Sequence, residues 1–236
     1  MRTYNMHPAG VTDIGHVRAS NADHLLTEGD LFVVADGIGG GEGASQLAVQ
    51  VIRDGFAADP TGPGLARAVA EAHAAVQQAA TQHEPDTFGT TIAAVGLIDD
   101  GGEARLGVIN VGDSRVYLLR DGELQRLSLD HSVVADMVRA GLLTEGEAVH
   151  HPERHRLTQA LGTGAGVEPY QTVVEPQDGD RLLLCSDGLF NEIPHLDLQQ
   201  ILTEASEPDV TVETLVGKAK DAGGNDNITA VVVDIA

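Results

Sequence analysis

The chain has 236 residues and 42% apolar content, enough for one large domain with a real core, so global disorder is excluded. Its 36 acidic residues against 14 basic give a formal charge of −22 with no local Lys/Arg cluster, which makes nucleic acid and anionic membranes poor partners. A single cysteine, Cys185, excludes an intramolecular disulfide, and no apolar stretch approaches the ~20 residues of a membrane span.

The first elements read as short strands over 10–17, 23–27 and 31–35. A glycine-rich turn at 37–41 leads into a helix with apolar residues at Ala44, Leu47, Ala48, Val51, Ile52 and Phe56, the spacing of one helical face. A second helix is expected over about 64–83. Strands return at 88–98, 103–111, 114–120 and 123–129, with Asp121-Gly122 as a hairpin turn between the last two. Tight turns make such neighbours antiparallel. Residues 131–167 differ: two short helical patterns, a histidine-rich stretch and Gly162-Thr163-Gly164-Ala165-Gly166 suggest a mobile surface insert. Strands near 169–175 and 180–186, helices near 195–205 and 209–221 and a strand over 228–233 complete the chain. Strands in hairpins with two helical pairs fit an α+β domain with helices on its sheet faces. The N-terminus lacks a signal-type apolar run, so a cytoplasmic location is expected.

Four aspartates carry the chemistry. Asp36, Asp113 and Asp187 follow apolar runs, Asp226 precedes one, and each lies next to or near a glycine. A strand fixes the backbone, and a carboxylate at its end is held at the rim. A nearby glycine lets a ligand approach the main chain closely. Carboxylate and carbonyl oxygens are hard ligands that suit Mg²⁺ or Mn²⁺. Water between two such ions is acidified into a nucleophile, and a phosphate ester is its natural target. Arg18, between a strand and a turn, has the fork geometry to hold a phosphate. An isolated Asp-Gly pair is most often just a turn, as at Asp121-Gly122.

The chain resembles the metal-dependent protein Ser/Thr phosphatases (PPM, type 2C) in their compact bacterial form. The segments are Gly15-His16-Val17-Arg18 with Asn21-Ala22-Asp23, Val34-Ala35-Asp36-Gly37-Ile38-Gly39-Gly40, Phe88-Gly89-Thr90-Thr91 and Val111-Gly112-Asp113-Ser114-Arg115. Asp130-His131-Ser132, Leu161-Gly162, Leu184-Cys185-Ser186-Asp187-Gly188-Leu189 and Gly223-Gly224-Asn225-Asp226-Asn227-Ile228-Thr229 follow in the family's order, covering nearly the whole chain.

The resemblance implies one domain over 1–236, an antiparallel β-sandwich flanked by helices on both faces in α-β-β-α layers. It implies two Mn²⁺ or Mg²⁺ ions bridged by Asp36, with the Gly37 carbonyl on one ion and Asp187 and Asp226 on the other. Asp113 with Asp187 would hold a third, Arg18 would bind the substrate phosphate, and Asp23 would orient metal-bound water. Residues 131–160 match the family's flap, linked to substrate choice. Expected substrates are proteins phosphorylated on serine or threonine, products of a Ser/Thr kinase or the kinase itself, and a monomer is expected. The alternative is a non-catalytic phosphatase-like domain that binds phosphoproteins in regulation. Ala22 stands where the family usually has Glu or Gln, so a hydrogen bond to metal-bound water is expected to be lost. Ile38 stands where some members place a histidine acid, which leaves the general acid unassigned.

Three rival readings compete. Cys185 as a phosphatase nucleophile needs arginine six residues on, where Asn191 stands. The segment Gly39-Gly40-Gly41-Glu42-Gly43-Ala44 loosely fits a dinucleotide fingerprint, but Asp36 and Glu42 would face the pyrophosphate. His150, His151 and His155 have a spacing zinc could use, although their polar setting favours solvated histidines with a possible substrate contact.

Overall fold

A computed structural model describes residues 4–39, 43–82, 87–164, 166–204 and 207–236. The strands are β1 (Met6–Asp13), β2 (His24–Glu28), β3 (Leu31–Ala35), β4 (Gly37–Ile38), β5 (Gly89–Thr90), β6 (Ile92–Asp100) and β7 (Glu103–Val111), then β8 (Arg115–Arg120), β9 (Glu123–Arg126), β10 (Tyr170–Val174), β11 (Arg181–Cys185) and β12 (Ile228–Ile235). The helices are α1 (Ala44–Ala58), α2 (Gly62–Ala80), α3 (Val133–Arg139), α4 (Glu145–Ala148), α5 (Asp187–Phe190), α6 (His195–Glu204) and α7 (Pro208–Ala222).

The strands form two five-stranded antiparallel sheets, ordered β1-β12-β11-β8-β9 and β10-β7-β6-β3-β2, with a two-stranded β4-β5 ribbon. Successive residues of a strand point to opposite faces, so β3 divides its side chains. Phe32 and Val34 enter a core between the sheets with Val95, Leu106, Val108, Leu118, Leu182, Leu184, Val231 and Val233. Leu31, Val33 and Ala35 pack outward with Ile52, Phe56, Leu65 and Val69 of α1 and α2. On the other side Leu183, Cys185 and Val232 pack with Leu198, Leu202, Leu215 and Val216 of α6 and α7. The expected α-β-β-α layers are present. Strands covered on both faces read as unbroken apolar runs for this reason, and truncating Phe32, which is wholly buried, would cost about 3–5 kcal/mol.

The expected elements recur with shifted ends. The first strand is β1, running 6–13 instead of 10–17. It is an edge strand, which tolerates Pro8, and it stops where Gly15 turns at φ 75° with its N–H donated to Asp13 Oδ1. The strand expected over 88–98 is two, β5 and β6, and that expected over 123–129 stops at Arg126. Asp121 and Gly122 both have positive φ, 52° and 81°, and make the hairpin turn read from their identities.

The 131–167 segment carries α3 and α4 but is built into the domain at several points. Leu161 bridges Thr90, Ser132 bridges Leu157, and His131, Ala160 and Leu161 are buried. The Gly162 N–H donates to His73 Nδ1 of α2 at 3.2 Å. The surface reading holds for 135–159, where no residue is buried, and the ends of the segment are tied into the domain by single residues with no periodicity to announce them.

Candidate metal and phosphate site

Strand register brings the distant aspartates together. β3 and β7 both pair antiparallel with β6, so they run the same way and end at one edge, with Val34 opposite Ala93 and Val111 opposite Ile92. In the other sheet Cys185 lies opposite Ala230 and Asp13 opposite Ile228. The loops carrying Asp36, Asp113, Asp187, Asp226 and Arg18 therefore leave at one rim. They line a cavity of 1490 Å³ together with Gly37.

The Gly37 main chain is pressed against Ala22. A Cβ on residue 37 would lie 2.6 Å from the Ala22 carbonyl oxygen, so any larger residue would displace this turn. Ala22 is itself fixed, donating its N–H to Asn227 Oδ1 at 2.9 Å and accepting from Ser45 Oγ at 2.6 Å. Asn227 further donates to the carbonyls of Ile14 and Ser20, which ties the Asp226 loop to the Arg18 segment.

The electrostatics are those of crowded, desolvated carboxylates. Burial pushes Asp36 well above the ordinary carboxylate range, and the charges of Asp23, Asp187, Asp113 and Asp226 push it further. Burial likewise raises Asp113 strongly, with Asp187 and Asp130 adding to it against the pull of Arg115. Asp23 lies beneath the cavity lining, 7% exposed, and burial lifts it to about 7 although its Oδ2 accepts from Ser186 Oγ at 2.8 Å and Thr229 Oγ1 at 2.7 Å. Arg18 lines the cavity, and its Nε and Nη2 each donate to Asp226 at 2.6 Å.

These residues suit hard divalent cations. Asp23 Oδ1 and Asp187 Oδ1 are buried with no hydrogen-bond partner among the described residues, a costly state for an anionic oxygen unless a cation meets it. The donors are carboxylates and main-chain carbonyls, the set preferred by Mg²⁺ and Mn²⁺. Among the described residues no three His, Cys, Asp or Glu side chains converge closely enough to coordinate one ion at once. For His150, His151 and His155 it removes the support for a zinc site: His151 Nδ1 instead accepts from the Glu153 N–H at 3.2 Å.

The sequence left other residues of the site with a minor role or none. His155, read chiefly as a solvated histidine, lines the cavity with Nδ1 3.9 Å from Asp187 Oδ2. His150, Arg154 and Arg156 line the same cavity, so side chains of the 131–160 segment share it with the aspartates. Thr91 lies under Asp36, and Asn227 locks three segments. Both stood inside recognised motifs, but neither residue type signals such a role by spacing.

The rivals fall away. Cys185 is fully buried outside the cavity lining, and burial pushes its thiol up to about 12. The glycine-rich fingerprint falls partly on residues 40–42, which lie outside the described residues, and α1 is followed by α2 instead of a second parallel strand.

A family profile described as protein phosphatase 2C matches residues 18–215. The chain is 39% identical over 236 residues to the serine/threonine protein phosphatase PstP of Mycobacterium tuberculosis, covering 96% of this chain but 44% of that protein. It thus spans less than half the length of that curated relative. Among solved structures, the PPM Ser-Thr phosphatase MsPP of Mycobacterium smegmatis, in complex with cacodylate, superposes with a TM-score of 0.90 at 42% identity over 97% of this chain and 98% of that one. The catalytic domain of PstP with two manganese ions gives 0.88 at 36% identity over 99% and 100%.

Proposed function

The chain belongs to the protein phosphatase 2C family, and from that premise we propose that it hydrolyses phosphoserine and phosphothreonine in proteins, with Mn²⁺ or Mg²⁺ as cofactor. The observation that carries this reading is the convergence of Asp36, Asp113, Asp187, Asp226 and Arg18 on one cavity.

In this reading Asp36 would contribute to holding two ions, the Gly37 carbonyl to one, and Asp187 and Asp226 to the other. Asp113 and Asp187 would hold a third, and Asp23, whose Oδ1 has no partner among the described residues, would orient a water at the site from beneath. When bound, the ions supply a nucleophile active at neutral pH and offset the charge of the phosphoryl group. Arg18 turns from Asp226 to a phosphate oxygen pair, a geometry its planar fork suits. That turn would free both Asp226 oxygens to serve as ligands. The basic wall of Arg154, Arg156 and His150 faces the substrate and counters the long-range repulsion of a chain charged −22.

We further propose one domain over 1–236 with 131–160 as its flap, a monomer in the cytoplasm, and substrates made by a Ser/Thr kinase or the kinase itself. No helix among the described residues is long and apolar enough to cross a membrane. The test is hydrolysis of p-nitrophenyl phosphate and a phosphothreonine peptide with EDTA, Mg²⁺ or Mn²⁺. Metal-dependent turnover supports the reading. No turnover by folded, metal-loaded protein would favour the non-catalytic phosphoprotein-binding domain.

A further inference from the structure

Thr91 sits where the two halves of the acidic cluster meet. The Asp36 N–H donates to Thr91 Oγ1 at 3.0 Å, and the Asp36 carbonyl accepts from the Thr91 N–H and Thr90 Oγ1, each at 2.9 Å. The Asp36 peptide therefore has its donor and both acceptor sites committed to this threonine pair. Thr91 Oγ1 also lies 2.7 Å from Ser114 Oγ, the residue after Asp113. Both hydroxyls are buried, Thr91 1% exposed and Ser114 fully enclosed. The methyl of Thr91 packs on Gly112 so closely that a Cβ there would lie 2.6 Å from it. One side chain thus touches the main chain of Asp36 on one side and both neighbours of Asp113 on the other.

We propose that the Thr91–Ser114 hydroxyl pair is a positioning device that couples Asp36 to Asp113, so that cation affinity at Asp113 depends on the placement of Asp36. A buried hydroxyl pair is short and directional, and no water competes for it. Without it the Asp113 loop keeps its backbone bond to His131 but loses its registration on Asp36. This inference rests on the proposed metal roles of the aspartates, not on turnover.

The test is Mn²⁺ binding to substrate-free protein by isothermal titration, with circular dichroism and melting to establish folding. Thr91→Val keeps the shape and the Gly112 contact but takes the hydroxyl from both Ser114 and the Asp36 N–H, so Ser114→Ala, which spares the Asp36 bond, isolates the pair. We expect the weaker Mn²⁺ phase to lose about tenfold in affinity, the scale seen when groups that orient metal ligands are removed, with a smaller change in the tighter phase. Thr91→Ser should restore it, and Ser114→Ala should reproduce the loss. The double variant Thr91→Val/Ser114→Ala should lose less than the product of the single losses, the mark of one shared interaction. Wild-type binding in folded Thr91→Val overturns the proposal, as do losses that multiply independently or fall equally on both phases. If Thr91→Val does not fold, Ser114→Ala and Thr91→Ser carry the test alone. Wild-type protein that binds Mn²⁺ without hydrolysing phosphoesters would defeat the functional reading and leave this one standing.

Discussion

Arg18 and Asp226 are joined by two 2.6 Å hydrogen bonds, Nε to Oδ1 and Nη2 to Oδ2, across 208 positions of sequence. The pair occupies both oxygens of one proposed metal ligand with the group proposed to bind phosphate, so cation binding at Asp226 and release of Arg18 are linked.

Removing the guanidinium should separate these two roles. Arg18→Ala is expected to bind Mn²⁺ somewhat more tightly without substrate, by up to about fivefold, since a half-exposed pair is worth about 1 kcal/mol at most. The same variant should raise KM for p-nitrophenyl phosphate about tenfold or more and weaken inhibition by inorganic phosphate, because two charge-assisted bonds are lost. Titration calorimetry and steady-state kinetics check the two directions. Weaker Mn²⁺ binding would show that Arg18 supports the metal site.

Asp36 is crowded by four other carboxylates, so function and stability should oppose each other there. Asp36→Asn is expected to abolish turnover, at least about a thousandfold, with loss of Mn²⁺ binding. In EDTA it should nevertheless melt several degrees above wild type, through relief of about 1 kcal/mol or more of like-charge repulsion and desolvation. Mn²⁺ should raise the melting temperature of wild type and leave the variant unchanged. Scanning fluorimetry in EDTA and in Mn²⁺ reads all three effects.

The flap arginines should act on protein substrates alone. Arg154→Glu with Arg156→Glu is expected to raise KM for an acidic phosphothreonine peptide about three- to tenfold, with the effect fading at high salt as the field is screened. Hydrolysis of p-nitrophenyl phosphate, which has no flanking residues, should change less than twofold. Equal losses on both substrates would place these arginines in the phosphate site itself.

His73 supplies a pH dependence away from the cluster. Burial lowers its pKa below the ordinary value of 6.5, and its Nδ1 accepts from the Gly162 N–H, just past the 131–160 segment. Its folded-state pKa is depressed, so below about 6.5 the unfolded chain takes up a proton that the folded chain refuses. The stability this group contributes is therefore present at neutral pH and lost as pH falls toward the folded value. Burial lowers His24 and His131 in the same direction, so the comparison must be by difference. His73→Gln should show a shallower loss of stability than wild type between pH 7 and pH 5 in urea denaturation. A slope as steep as that of wild type would mean that His73 titrates alike in both states.

The strand ends were legible where the pattern is local. Five apolar residues before Asp36 announce a strand buried on both faces, and Asp121-Gly122 announces its turn. The first strand was misplaced because its residues 6–9 alternate only weakly and their single partner, β12, lies at the far end of the chain. The resemblance joined the aspartates into one site in advance, but it was silent on what lies beneath them. Thr91 and Asn227 have no signature of spacing, and the spacing of His155 with its neighbours suggested zinc and not the aspartates. Their roles come from the neighbours that folding gives them.

The sequence by itself determined the composition of the rim: which carboxylates end which strands, and that oxygen donors dominate, because local apolar runs and the residues that close them are written in order along the chain. Tertiary structure alone decided that Arg18 closes on Asp226, that Asp23 sinks below the lining, that Thr91 bridges Asp36 to the Asp113 loop, and that Arg154 and Arg156 line the same cavity as the aspartates. Those relations depend on strand register and on the packing of one sheet against the other, in which residues far apart in sequence become neighbours a few ångströms apart.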